Sequence, residues 1–317
     1  LTSLLLPAVA AVAVLAAACG GGGGNSNSTP APATTPLSPD QKATAEAITS
    51  HLEGAIAFTA LVDQNAEIFV MDANGSHRTN LSQDPSADSA PAWSPDGSRI
   101  AFQSDRVGDL EIYVMDAAGA GITRLTNNLG EDTDPAWSPD GQRIAFASVH
   151  DGNRDIYVMN ADGSNLTRLT DNPAEDLEPA WSPDGQRLAF VSVRDGNSEV
   201  YVMGTDGTTQ TNLTNNAASD NGPAWSPDGA LIAFHSNREG KADIFTLDPL
   251  TAAVTRLTDD PANDSLPAWS PDGKYLAFVS DRDGNLEIYV MGSDGSAQAN
   301  LTRSEGTERN PAWSSGR

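Results

Sequence analysis

Six tryptophans stand at positions 93, 137, 181, 225, 269 and 313, and every interval between them is 44 residues. The same period carries Phe58, Phe102, Phe146, Phe190, Phe234 and Phe278. It also carries a third series, Phe69, Tyr113, Tyr157, Tyr201, Phe245 and Tyr289. Of the chain's 19 aromatic residues only Tyr275 lies outside these phases. A period in the forties means that one supersecondary unit is stacked repeatedly, because a single unit cannot bury its own apolar face. Packing between units therefore accounts for Trp93, Trp137, Trp181, Trp225, Trp269 and Trp313 better than a carbohydrate-stacking surface does: each occurs once per unit at a fixed phase.

One unit shows what the repeat builds. Pro135-Ala136-Trp137-Ser138 reads as a short strand closed by Pro139-Asp140-Gly141, residues suited to successive positions of a tight turn. Arg143–Ser148 is a second strand, Asp151-Gly152-Asn153 a polar turn, Asp155–Met159 a third strand, and Thr167–Thr170 a fourth after Ala161-Asp162-Gly163. Three Gly or Pro interruptions in 44 residues exclude a helical repeat. Four short antiparallel strands per unit make a propeller blade. Each strand type occurs six times but out of phase: the first is a second-strand type at Ala55–Thr59, the last a Pro-Ala-Trp strand at Pro311–Ser314. From Gly54 to Arg317 is 264 residues, or 6 × 44. The expected fold is all-β, a six-bladed β-propeller over residues 54–317. The C-terminal strand pairs with the N-terminal blade, which leaves no open sheet edge. Length alone would suggest two domains; the repeat makes one.

The recurring string PAWSPDG…IAF.S.RDG…EIYVM…DG…LT closely resembles the propeller repeats of the TolB family, whose founding member is the periplasmic protein of the Tol–Pal envelope system. Similar repeats form the propeller parts of prolyl-oligopeptidase-like and tricorn-type proteases. The resemblance implies the fold firmly and the function loosely, since propellers host many activities. TolB itself carries an α/β domain before its propeller; here the first 53 residues have another character.

Leu4–Ala18 is an uncharged apolar run of 15 residues, short of the ~20 that a membrane span needs and matched to the core of a secretory signal. It ends in Leu15-Ala16-Ala17-Ala18-Cys19-Gly20, which resembles a bacterial lipobox and makes Cys19, the only cysteine, the expected lipidation site. The other reading is an ordinary signal peptide that holds a cysteine. Residues 1–19 are thus read as the signal and 20–39 as a Gly/Asn/Ser/Thr/Pro spacer too polar to order itself. Residues 40–53 are read as a short helix opened by the capping box Ser38-Pro39-Asp40-Gln41. A lipid-anchored, extracytoplasmic envelope protein is the expectation.

Charge sets the partners. The chain has 18 Lys+Arg against 43 Asp+Glu, a net −25, of which −2 falls within residues 1–53 and −23 in the propeller. That balance excludes a phosphate-gripping nucleic-acid binder and adsorption to an anionic membrane. Membrane contact is expected only through the anchor, and partners are expected to be envelope proteins, basic on the contacting face. A single cysteine excludes internal disulfides, and the chain is expected to be monomeric.

Five residues before each tryptophan stand Asp88, Asp132, Asp176, Asp220, Asp264 and Glu308, a carboxylate ring just ahead of the strand assigned to the central channel. Two readings compete: a cation or partner site, and carboxylates bonded to backbone or to arginines of a neighbouring blade. Arg106, Arg194, Arg238 and Arg282, with His150 in the fifth place, form a matching series. Asp281-Arg282-Asp283-Gly284-Asn285 loosely resembles a calcium loop, but a β-turn explains it and its counterparts equally, so no cofactor is assigned and calcium is the sole candidate. A catalytic site in a near-symmetric ring should break the repeat. The candidates His77, His150, His235, Lys241 and Tyr275 are scattered, and no Gly-x-Ser-x-Gly elbow occurs, so no catalytic residue is assigned.

Overall fold

The computed structural model describes residues 48–128, 130–150 and 152–314. The signal, Cys19, the spacer and the first part of the expected helix lie outside the described residues. Within them Ile48 and Thr49 are helical, and the chain turns at Ser50–His51, where the His51 N–H donates to the Ile48 carbonyl at 3.0 Å. Among the described residues no helix is long and apolar enough to cross a membrane.

Among the described residues twenty-four strands form six four-stranded antiparallel sheets, each running from an inner strand to an outer one in chain order, except in the first. Blades 2 to 6 begin with the inner strands Asp88–Trp93, Asp132–Trp137, Asp176–Trp181, Asp220–Trp225 and Asp264–Trp269. Blade 1 takes its inner strand from the other end of the chain: Glu308–Trp313 pairs antiparallel with Ala55–Val62, in the register Ile56↔Trp313 and Ala60↔Glu308. The joint is completed by Ser314, whose N–H donates to the Ala55 carbonyl (2.8 Å) and whose Oγ accepts from the Ala55 N–H (3.0 Å). The ring is thus closed by hydrogen bonds, and no inner edge is left open.

Inner strands start three residues earlier than the Pro-Ala-Trp signal indicates, at the carboxylate. The reason is a register shift in every inner strand, for example between Ser89 and Ala92, where the residue before proline adopts a left-handed conformation (Ala90 φ 52°, Glu178 φ 51°). This bulge breaks the alternation by which a strand is recognised. Blade 3 departs from its expected bounds in its hairpin as well: its middle strands run Arg143–His150 and Asn153–Asn160, and its outer strand is only Thr167–Arg168.

The core lies between blades. Each phenylalanine of the Phe58 series is fully buried and contacts the aromatic of the neighbouring strand, as in Phe190–Tyr201 with ring centroids 5.6 Å apart. Trp137 packs with Ala101, Ile112 and Val114 of blade 2 and with Ile144 and Phe146 of its own blade. The guanidiniums of Arg99, Arg143 and Arg187 cap Trp137, Trp181 and Trp225 at 4.5, 4.6 and 4.6 Å, so these three tryptophans are sandwiched between a blade core and a cation.

Blades also meet through turns. Gly207 has φ +82°, and a Cβ there would sit 2.3 Å from the Leu169 carbonyl of the preceding blade. Gly207→Ala therefore combines left-handed strain with a backbone clash. A loss of at least ~1–2 kcal/mol is expected in urea unfolding; an unchanged midpoint would show that the blades can move apart freely.

Candidate binding site in the central channel

All six inner strands converge on one cavity of about 200 Å³ around the ring axis. At the bulge position the ring carries, in order, Ala90, Asp134, Glu178, Gly222, Leu266 and Asn310. Nowhere else does an otherwise regular repeat place six different residues at one phase. The bulge turns each of these N–H groups out of the ladder, and neighbouring side chains capture several of them. Ala90 N–H donates to Thr59 Oγ1 (3.1 Å), Asp134 N–H to Gln103 Oε1 (3.0 Å) and Leu266 N–H to His235 Nδ1 (3.4 Å). Gly222 N–H donates to Glu178 Oε2 at 2.6 Å. Gly222 is required by its neighbour, since a Cβ there would lie 2.9 Å from His235 Nδ1.

Two carboxylates thus share one stretch of channel wall on adjacent blades. Burial pushes the Glu178 carboxyl up to about 7, the Asp134 charge adds to the rise, and the Gly222 N–H opposes it. Burial likewise raises the Asp134 carboxyl. Burial pushes the His235 imidazole down to about 4 against the pull of Asp220, so at neutral pH it is an uncharged hydrogen-bonding ring. The wall can hold a cation or the charged tip of an inserted segment, and near neutrality it takes up a proton when unoccupied. A carboxyl whose folded value is raised loses stabilisation as pH climbs through the window from its ordinary value to its folded value. Glu178→Gln is therefore expected to gain in melting temperature relative to the parent as pH rises from about 4.5 to about 7. A pH-independent difference between the two proteins would contradict this.

The six-carboxylate series lies elsewhere. Asp88, Asp132, Asp176, Asp220, Asp264 and Glu308 are fully buried at the start of the inner strands. Arg106 holds Asp88 through both oxygens (2.9 and 3.0 Å), donates from Nε to Ser104 Oγ (2.8 Å), and lies 4.7 Å above the Tyr113 ring. Arg194 does the same to Asp176, and Arg238 and Arg282 bind Asp220 and Asp264 at 3.0 Å. These arginines belong to the same blade as their carboxylate, not to a neighbour: the antiparallel pairing of the inner and second strands brings the turn arginine back over it. Blade 1 has Val62 at the arginine's place, and Arg78 from the next turn arrives instead, 3.0 Å from Glu308 and 4.8 Å above Phe69. In blade 3 His150 does not reach Asp132; it tilts against Tyr157 at 6.3 Å, and Asn128 Nδ2 donates to Asp132 at 2.9 Å.

A second carboxylate series, Glu67, Glu111, Asp155, Glu199, Asp243 and Glu287, lies at the first or third residue of the third strands and is also buried. It was legible as the acidic residue before Ile-Tyr-Val at the same period. Arg168 and Arg256 pair with Asp155 and Asp243 at 2.7 and 2.8 Å. Lys241 also joins Asp243. The remaining repeat-breaking residues are dispersed: His77 is exposed beside Asp72 (2.6 Å), and Tyr275 lies at the closure joint. In the calcium-like turn, Asp281 accepts from Asn263 N and Nδ2, and Asp283 accepts from Tyr289 and Asn300, so their oxygens diverge. Among the described residues no three His, Cys, Asp or Glu side chains gather as a metal site.

The sequence model of the TolB beta propeller domain matches residues 47–178, 173–254 and 221–317. Among solved structures, TolB from Acinetobacter baumannii superposes with a TM-score of 0.75 at 26% identity, over 82% of this chain and 66% of that one. A putative TolB from Agrobacterium tumefaciens gives 0.65 at 26% identity, over 79% and 88%. A puromycin-hydrolyzing peptidase from Mycobacterium tuberculosis gives 0.58 at 18% identity, over 78% of this chain and 43% of that one, a likeness of fold alone. No curated protein matches the chain significantly. With the family match running through all six blades, the chain belongs to the TolB β-propeller family.

Proposed function

We propose that this protein is a non-catalytic, lipid-anchored envelope protein whose propeller serves as a protein-interaction scaffold outside the cytoplasm. The observation that carries the reading is the family match across the whole ring, together with two TolB structures at 26% identity. Three further points support it. The apolar run ending at Cys19 fits export and lipidation. The disc's excess of acid suits a partner with a basic contacting face. The channel wall sets Asp134 beside Glu178, with His235 behind it accepting from a backbone N–H, rather than a nucleophile with its base. A second reading, a cation or small ligand in the channel, is favoured by the adjacent Asp134 and Glu178.

Crosslinking in native membranes followed by affinity capture of the full chain tests the proposal. The expected result is capture of an envelope protein that the double variant Asp134→Asn/Glu178→Gln retains poorly and that requires Cys19 for co-localisation. Recovery of Tol–Pal components would extend the family likeness to the pathway. If no envelope protein is captured and a cation stabilises the parent but not the double variant, the second reading replaces the first.

A further inference from the structure

A second cavity lies at the closure joint, beside a tryptophan that carries no arginine. Three tryptophans carry an arginine 38 residues upstream over their indole, at 4.5–4.6 Å. The residues 38 upstream of Trp93, Trp269 and Trp313 are Ala55, Leu231 and Tyr275, so among the described residues no guanidinium lies over these three, and only Trp313 has a second aromatic at that place. Its Nε1–H also has a partner of another kind. Trp181 and Trp269 donate from Nε1 to carbonyls of the preceding blade, Ala136 (3.2 Å) and Ala224 (3.1 Å), whereas Trp313 donates to the Glu53 carbonyl at 3.0 Å, on the segment that leads into blade 1. Between these elements lies a cavity of about 340 Å³, walled by Trp313 and Tyr275 and rimmed by His51, Glu53, Asp272 and Lys274. Its volume falls within the ~300–1,000 Å³ range of ligand clefts.

The chemistry of the walls selects the occupant. Two half-buried aromatic rings offer flat apolar faces. The rim mixes donors and acceptors of nearly balanced charge: Lys274 neutralises Asp272 at 3.1 Å, and His51 stands on the same rim as Glu53. A compact anion would meet two carboxylates, and a bare cation would meet Lys274. A ring with an apolar face and a hydroxylated edge satisfies both surfaces, one by stacking and the other by hydrogen bonds.

We propose that this pocket binds a neutral saccharide, one pyranose ring stacking on Trp313 and Tyr275 while its hydroxyls bond to Asp272, Lys274 and Glu53. The site is separate from the channel and does not depend on the scaffold reading above.

The test uses the full chain and a panel of cellobiose, maltose and N,N′-diacetylchitobiose, read by tryptophan fluorescence and saturation-transfer NMR. At least one sugar is expected to bind saturably, with Kd on the order of 1 mM or tighter, and to show its ring protons against the protein. Tyr275→Arg introduces the residue that Arg99, Arg143 and Arg187 place over a tryptophan, so the variant should fold and melt no lower than the parent while its affinity falls at least ~10-fold. Lys274→Ala removes one rim donor on an exposed side chain and should weaken binding less. The proposal is overturned if no sugar binds at about 10 mM, if Tyr275→Arg binds as tightly as the parent, or if arginine methyl ester saturates the pocket while all three sugars fail.

Discussion

Arg194→Ala should destabilise the propeller by about 3–5 kcal/mol, the cost of leaving one partner of a buried ion pair uncompensated. Asp176 is fully buried, and Arg194 supplies both of its charged hydrogen bonds, at 2.9 and 3.0 Å. The same guanidinium donates to Ser192 Oγ (2.7 Å) and Gln210 Oε1 (2.6 Å) and stacks 4.7 Å above Tyr201. Alanine removes all of these at once, so the effect should far exceed the ~0–1 kcal/mol of an exposed salt bridge. Arg194→Lys should recover only part of the loss, because one ammonium cannot reach Asp176, Ser192 and Gln210 together or stack as a plane over Tyr201. Adding Asp176→Asn to Arg194→Ala should return part of the loss, since the stranded charge is then gone. Urea unfolding of the three variants decides the matter. A loss below ~1 kcal/mol for Arg194→Ala would mean that water replaces the arginine and that the bracket is not closed.

Trp181→Ala is expected to cost a similar ~3–5 kcal/mol, for a different reason. The indole is only 8% exposed and fills the space between blades 3 and 4 beside Ala145, Ile156 and Leu188. Arg143 covers its outer face at 4.6 Å, and its Nε1–H satisfies the Ala136 carbonyl at 3.2 Å. Truncation leaves a cavity between two sheets whose backbones are held by their own ladders and cannot collapse into it. Trp181→Phe should fall between parent and alanine, restoring most of the volume but not the hydrogen bond. An unchanged melting curve for Trp181→Ala would show that the tryptophan series does not hold neighbouring blades together.

The two effects differ in how far the sequence foretells them. The tryptophan's role follows from period alone, because a residue repeated once per unit at one phase must serve what the units have in common. The arginine's role follows only partly. Arg106, Arg194, Arg238 and Arg282 are visible as a series parallel to the carboxylates, but the sequence places them on a neighbouring blade. Their return to their own carboxylate depends on the hairpin geometry of one sheet. Blade 1 shows why spacing cannot settle such pairings: Arg78 comes from another turn, yet its guanidinium reaches an equivalent place between Glu308 and the Phe58–Phe69 pair. Electrostatics selects where a charge ends up, not which residue number carries it.

The channel was illegible for a related reason. Asp134, Glu178, Gly222 and Asn310 look like ordinary variation ahead of a conserved-looking proline within each repeat, and nothing local marks them as neighbours. They meet because ring closure brings six copies of one phase to a common axis, and because a left-handed bulge turns them off the strand alternation. His235 stood out as a departure from the repeat, but its contact with Leu266 lies in the next blade.

What the sequence determined by itself was the unit, the number of units and the closure. Hydrophobic period, turn residues and an offset start and end are local or additive properties, written into each 44-residue copy. What only the tertiary structure decided was which side chains leave the repeat together: the channel wall, the arginine brackets and the open face of Trp313. Those are relations between blades or across the closure joint. Their free energies depend on distances that a chain acquires only when the ring is complete.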